Sequence, residues 1–303
     1  MIERRAVLVM AYGTPRGLDD IDEYYTDIRG GRLPSPELLE ELTERYRAIG
    51  GRSPLLEITQ AQVKGIEERV DGARAYLGQK HAAPRIADAM QEMVQDGIER
   101  AVGLVLAPHY SSMSVGDYAR RAASAADTCG WNGQLAMVES WHLEPGYVAW
   151  LAERVTEAMT TLPEEARAAT TVVFSAHSLP ARILESGDPY PDQLQATADV
   201  VAERAGIERY TIGWQSAGRT AEPWIGPDIL DVMRERAANG ARGVVICPCG
   251  FVSDHLEVLY DVDIEAAALA ADLGLAFART ASPNDDPAFL DTLAGVVRRA
   301  LQA

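Results

Sequence analysis

The sequence predicts a two-lobed α/β protein built on parallel sheets, and three observations carry that prediction. Short apolar, β-branched runs alternate with longer amphipathic stretches, the pattern of parallel strands joined by helical crossovers. The pattern occurs twice, once before about residue 138 and once after about residue 165, so two similar lobes are the simplest reading. At 303 residues the chain is long enough for two domains of ordinary size.

In chain order, the strand candidates of the first lobe are RAVLVMAYG (5–13) and AVGLVLAPHYS (101–111). WHLEPGYVAWLAERV (141–155) bridges to the second lobe, whose strand candidates are TVVFSAHSLP (171–180) and GVVICPCGFVSD (243–254). Each apolar run ends in Gly, Pro, Ser or His, so polar chemistry collects where strands finish. In open parallel sheets ligands bind beyond the carboxyl ends of the strands, which makes these endings the place for a site. The Ser282-Pro283-Asn284 turn precedes a last amphipathic helix, PAFLDTLAGVVRRALQA (287–303), able to return to either lobe.

Composition narrows the function. A formal charge of −17 repels nucleic acid and anionic lipid surfaces. The N-terminal apolar run, about six residues, is too short for a signal h-region or a membrane span. Cys129, Cys247 and Cys249 cannot all pair with one another, which suits reduced thiols in a cytoplasmic setting.

His177 follows TVVFSA and precedes Ser178-Leu179-Pro180, so an imidazole stands at a strand end where Pro stops smooth continuation into a helix. Neutral imidazole can ligate a borderline metal or accept a proton. Glu257 lies three residues after Asp254, the spacing of a helix capping box. Glu257, Asp261 and Glu265 are also spaced by four, which lines three carboxylates along one flank of a helix at a repulsive cost of a few tenths of a kcal/mol per pair. Leu256, Val258, Leu259, Val262 and Ile264 make the rest of that helix apolar nearly all round, so burial is expected. Buried carboxylates need a cation, and oxygen ligands in a row beside an imidazole suit a divalent ion moving toward His177.

Tyr12 ends the first strand and can offer a phenol to a metal or a flat ring. Arg29, Arg45, Tyr46 and Ser53 sit in DIRGGR and RYRAIGGRSP, where guanidinium, phenol and hydroxyl groups fit a ligand carboxylate. Trp214, Gln215, Arg219, Trp224 and Pro227 occupy a loop rich in Gly and Pro; its aromatic rings can hold a planar ligand or staple the loop to the core. Cys247 and Cys249 read as buried, inert thiols.

AYGTP, PHYSSMSVGDY, SAHSLP, GDPYPDQL, WQSAGRTAEPWIGP and CPCGFVSDHLEVLYDVDIEA, in that order and over nearly the whole chain, resemble the ferrochelatases. The resemblance implies two Rossmann-like lobes with parallel sheets, chelatase-like, with a porphyrin cleft between them. It implies an N-terminal lobe over 1–138, a C-terminal lobe over 139–283, and a C-terminal helix, 284–303, packing back on the first lobe. The implied activity is that of a metal chelatase, a lyase of haem biosynthesis that inserts ferrous iron into a porphyrin with loss of two protons. Carried over residue by residue, His177 and Glu257 match the family's metal-site pair, and Asp261 and Glu265 the acidic line that continues from it. Tyr12 stands where the Gram-positive type has a tyrosine that can face the iron, which points to coproporphyrin III as substrate and Fe-coproporphyrin III (coprohaem) as product. Arg29, Arg45, Tyr46, Ser53 and Tyr118 match positions that contact the porphyrin, chiefly its propionates, and His109 faces the cleft in relatives.

The chain departs from some relatives in two ways. Three cysteines cannot supply the four ligands of a [2Fe-2S] cluster, so no prosthetic group is expected, and Fe2+ enters as substrate. Some relatives use an apolar lip or a C-terminal extension to sit on a membrane, whereas this sequence ends soon after its last helix, so no stable membrane insertion is expected. A regulatory Mg2+ on the acidic helix and a downstream coprohaem-handling enzyme stay open as partners. The rival readings are a protoporphyrin IX ferrochelatase, a cobalt or nickel tetrapyrrole chelatase, and a non-enzymatic haem carrier.

Overall fold

The computed structural model describes residues 4–302. The first half of the chain runs β1 (Arg5–Ala11), α1 (Ile21–Ile28), α2 (Pro36–Ala48), α3 (Leu55–Glu67), β2 (Ala73–Gln79), α4 (Ile86–Gln95), β3 (Arg100–Val105), α5 (Val115–Cys129) and β4 (Gln134–Val138). The second half begins with α6 (Pro145–Thr161), α7 (Glu164–Arg167), β5 (Thr170–His177), α8 (Arg182–Glu185), α9 (Tyr190–Ala205) and β6 (Tyr210–Gln215). It continues through α10 (Ile229–Ala238), β7 (Gly243–Cys247), a π-helix (Val258–Ala266), α11 (Ala267–Asp272), β8 (Ala276–Arg279) and α12 (Pro287–Gln302).

Two four-stranded parallel sheets form, in the orders β2-β1-β3-β4 and β6-β5-β7-β8. The order is the same in both, so each sheet has a switch point between its two central strands, where the crossovers leave in opposite directions and a crevice opens. All four sequence-predicted strands are the central ones: β1 and β3 in the first sheet, β5 and β7 in the second. They are buried on both faces and therefore read as continuous apolar runs. The four edge strands are additions to the sequence reading. β4 and β8 have no fully buried position, β6 is buried only over its last three residues, and the buried positions of β2 are interrupted by Arg74 and half-buried residues, so none carries a strong apolar run.

Local chemistry fixes the helix ends. Ser35 accepts a hydrogen bond from the Leu38 amide at 3.4 Å with Pro36 in the first turn of α2, and Asp228 caps α10 through the Leu230 amide at 2.8 Å. Gly130 and Gly206, with φ of 69° and 67°, end α5 and α9 in the left-handed conformation.

The main apolar cluster joins the inner faces of both sheets, Val7, Val9, Val102 and Leu104 with Val172, Phe174 and Val245, through Tyr147 and Leu151 of α6 and Phe289, Leu293 and Val297 of α12. The bridge segment is thus a buried helix, with the Tyr147 hydroxyl donating to the Cys249 carbonyl at 2.7 Å. α12 lies against α3, α6, β3 and β4.

Two local expectations fail. Asp254 does not cap the helix that follows it: its carboxylate accepts from Ser282, Asn284 and Arg279, and so is committed to the turn before α12. Nor is that helix buried all round, since Ile264 is exposed while Val258 and Val262 are buried. Its backbone over Val258–Ala266 is a π-helix, a form concentrated at functional sites.

Candidate active site

A cleft of about 1170 Å³ lies at the carboxyl ends of the strands and is walled by residues of both halves of the chain. It exceeds the roughly 300–1,000 Å³ usual for small-molecule pockets. Each wall grows from strand ends. His177 is the last residue of β5, and Tyr12 and Lys80-His81 follow β1 and β2 directly.

On the C-terminal wall, His177 donates from Nδ1 to the Ser178 carbonyl, which turns Nε2 toward Glu257 Oε1 at 3.4 Å. The other carboxylate oxygen, Oε2, lies 3.5 Å from Nε2 of His255, whose Nδ1 donates to the Ser253 carbonyl at 2.9 Å. Glu257 therefore sits between two imidazoles. Burial pulls the His177 pKa down, but the charge and hydrogen bond of Glu257 outweigh it and raise it to about 9. Burial works against the Glu257 charge too, yet the two imidazoles hold its carboxyl well below the usual range. The Trp224 ring stands 6.4 Å from the His177 ring.

Asp261 is the next carboxylate of the line and is almost fully buried. One oxygen accepts from Arg45 of α2 and the other from Ser216, a residue held at φ 57°. Burial raises the Asp261 pKa to about 6 against the pull of Arg45. Glu265, one step further, is exposed, so the three carboxylates run from the cleft to the surface. Among the described residues no three His, Cys, Asp or Glu side chains converge as a ready-made metal cage.

The N-terminal wall is different. Tyr12 is 43% exposed and faces the open cleft, with its ring 4.6 Å from that of His81. The partial desolvation of its place inside the cleft and the charge of Glu257 push the Tyr12 phenol above its usual pKa. His81 is buried, its Nδ1 2.7 Å from Asp27 Oδ2, and burial lowers its pKa to about 4. The Lys80 ammonium lies 5.4 Å from the centre of the Tyr118 ring and 2.7 Å from Asp117.

Of the other porphyrin-contact candidates, Tyr46, Ser53 and Tyr118 line the cleft and are buried. Tyr46 shares a hydrogen bond with Thr14 at 3.2 Å, and burial raises its pKa to about 12. Ser53 accepts from the Leu55 amide at 3.2 Å. Arg45 also lines the cleft, with its guanidinium 4.6 Å over the Tyr260 ring. Arg29 does not reach it: it stacks 5.8 Å from Tyr25 at the end of α1. His109 is buried beside the cleft, its Nε2 2.9 Å from Thr197. In the tryptophan loop, Trp214 is a core residue and Gln215 bonds Ser175 at 2.7 Å, whereas Trp224 faces the cleft. Cys247 and Cys249 are buried free thiols, and burial pushes Cys249 well up.

Residues 4–301 match the family model for ferrochelatase. The chain belongs to the ferrochelatase family. It is 49% identical to a coproporphyrin III ferrochelatase of Anoxybacillus flavithermus, covering 98% of this chain and 96% of the relative. It is 46% identical to one of Bacillus subtilis, covering 99% and 98%, and 44% identical to a ferrochelatase of Herpetosiphon aurantiacus, covering 98% and 99%. Among solved structures, the sirohydrochlorin chelatase SirB from Bacillus subtilis subspecies spizizenii, in complex with cobalt, aligns with a TM-score of 0.63 at 12% identity, covering 99% and 96%. CbiX, from siroheme biosynthesis in denitrifying bacteria, aligns with a TM-score of 0.55 at 17% identity, covering 98% and 99%. At such identities these two establish the chelatase-like fold alone.

The sequence reading missed His255, His81, Lys80 and Asp27. His255 was within reach, since HLE places a second imidazole two residues from Glu257. Lys80 and His81 follow an edge strand that the apolar pattern did not reveal, so their position at a strand end was hidden.

Proposed function

We propose that this ferrochelatase-family chain inserts ferrous iron into coproporphyrin III, giving Fe-coproporphyrin III in haem biosynthesis. The observation that carries the reading is the His177–Glu257 pair, 3.4 Å apart on one wall of a large cleft that has Tyr12 on the other. The similarity to relatives named for that substrate supports the choice of porphyrin.

Metallation is slow in solution because ring protons and the incoming ion compete for one small hole and a flat ring hides its lone pairs. In the proposed mechanism the cleft walls hold the ring bent, which exposes the nitrogens. Glu257 draws in the divalent ion, and His177 gives up its proton to the solvent as that positive charge arrives and then guides the iron to the ring. Asp261 and Glu265 extend the acidic line outward. Tyr12, Tyr46, Ser53 and Tyr118 face the macrocycle and its propionates, and four propionates need that many polar partners. Arg45 serves the propionates only after leaving Asp261, and Arg29 only after leaving Tyr25.

No helix among the described residues is long and apolar enough to cross a membrane; the reading places the reaction in the cytoplasm, with Fe2+ and coproporphyrin III as the small-molecule partners and a coprohaem-handling enzyme downstream. The test is an anaerobic absorbance assay with Fe2+ and coproporphyrin III beside protoporphyrin IX. Faster conversion of coproporphyrin III is expected. Faster loss of the protoporphyrin spectrum overturns the substrate, and tight product binding without metallation overturns the activity in favour of a carrier.

A further inference from the structure

The geometry points to His81 as a second proton acceptor, held by Asp27, that takes one of the two ring protons on the N-terminal side of the cleft. This inference rests on the chelatase reading above and adds a residue to it.

Asp27 faces two donors: Oδ1 accepts from Arg85 Nη1 at 2.9 Å and Oδ2 lies 2.7 Å from His81 Nδ1. These partners outweigh burial and lower the Asp27 pKa, so its carboxylate is ionised and can only accept. The proton of the imidazole is therefore on Nδ1, and Nε2 carries a bare lone pair. The His81 amide donates to the Tyr12 carbonyl at 2.9 Å, which fixes the backbone there, and the imidazole lies 4.6 Å from the Tyr12 ring at the cleft. Among the described residues the ring's only hydrogen bond is the one at Nδ1. Nδ1 of His109 and of His142 is also unpartnered, but sealed off, whereas the His81 side chain, though only 6% exposed, lines the cleft. Burial, with Lys80 and Arg121 nearby, keeps the resting ring neutral, so that its lone pair is free, while the hydrogen bond and charge of Asp27 favour the protonated form.

The arrangement, a carboxylate orienting an imidazole whose other nitrogen is left without a partner beside the cleft, is that of an oriented general base. Iron insertion breaks two N–H bonds of the macrocycle as Fe2+ forms bonds to its nitrogens, and two protons leave for the two positive charges that enter. A ring bound between the walls turns one face to Tyr12 and His81 and the other to His177 and Glu257. One N–H breaks with its electron pair left on the ring nitrogen, and the proton bonds to Nε2. Asp27 faces the imidazolium so formed, and the proton then passes to water at the cleft mouth. The second N–H breaks in the same way, its electron pair staying on the ring nitrogen and its proton passing directly to water in the cleft.

The decisive variant is His81→Asn, whose amide nitrogen can still donate to Asp27 while the accepting nitrogen is gone. Wild-type activity with Fe2+ and coproporphyrin III is measured first, and its absence fails the chelatase reading itself. With an active wild type, His81→Asn is expected to lose about a hundredfold in kcat, with the coproporphyrin III Kd from fluorescence quenching unchanged within about twofold. In His81→Ala, added imidazole restores a part of kcat, and Asp27→Ala lowers kcat without raising KM for the porphyrin. A His81→Asn enzyme with near-normal kcat, a parallel loss of porphyrin binding, or a His81→Ala enzyme blind to imidazole overturns the assignment while leaving the chelatase reading intact.

Discussion

The two walls of the cleft are built on sheets with one strand order, yet they carry opposite chemistry. Around Tyr12 the N-terminal wall presents phenols and cations, Tyr118, Lys80 and Arg121, whereas beside His177 the C-terminal wall presents carboxylates, Glu257, Asp261 and Glu265, its arginines Arg182 and Arg219 being exposed and paired with Glu222 and Glu41. Even the histidines differ: His81 is neutral beside its carboxylate, while His177 is held charged by its own. The shared topology decides where a ligand can lie, and the few residues after each strand decide what happens there. A polyanionic ring and a divalent cation would thus be drawn to opposite sides of the same space.

The comparison is broken most directly at His177. If the C-terminal wall handles the metal, His177→Ala lowers iron insertion at least a hundredfold while coproporphyrin III binding, read by fluorescence, stays measurable; near-normal turnover removes the residue from the mechanism. Tyr12→Phe probes the opposite wall more gently. Loss of one polar contact, about 1.5 kcal/mol, is expected to slow the reaction about tenfold and to hurt coproporphyrin III more than protoporphyrin IX. Equal effects on both would dissociate Tyr12 from substrate choice.

A third, smaller effect concerns stability. Asp261 has a folded pKa of about 6 against 3.8 for the free group, so the folded state disfavours its ionised form. Its contribution is complete below pH 3.8 and is lost as pH rises through about 6. Asp261→Asn should therefore raise the unfolding free energy at pH 7 by on the order of 1 kcal/mol, with the gain fading toward pH 4. A gain independent of pH would contradict that origin. The smallest effect is expected at Arg219, whose exposed pairing with Glu41 joins the lobes at the rim. Arg219→Ala should change urea stability by less than about 1 kcal/mol; a larger change would make the rim a structural clasp.

Much of this was legible before any coordinates, but unevenly. β1, β3, β5 and β7 announce themselves because burial on both faces demands uninterrupted apolar residues. The edge strands, half solvated, carry no such signal, and β2 hid Lys80 and His81 with it. Glu257, Asp261 and Glu265 were found by spacing alone, since a row along a helix survives the change from α to π winding in outline. Arg45 was harder. Its residue type fits a ligand carboxylate, and nothing in the local sequence says that Asp261, far along the chain, takes that place first. Long-range pairing of this kind depends on how α2 crosses toward the second lobe, which periodicity does not encode.

The helix Pro287–Gln302 sets an order on synthesis. Phe289, Leu293 and Val297 complete the apolar layer behind β3 and β4, but the ribosome delivers them only after the entire second sheet. At about 5–20 residues per second that interval is many seconds, during which a nascent first lobe bares a sticky flank.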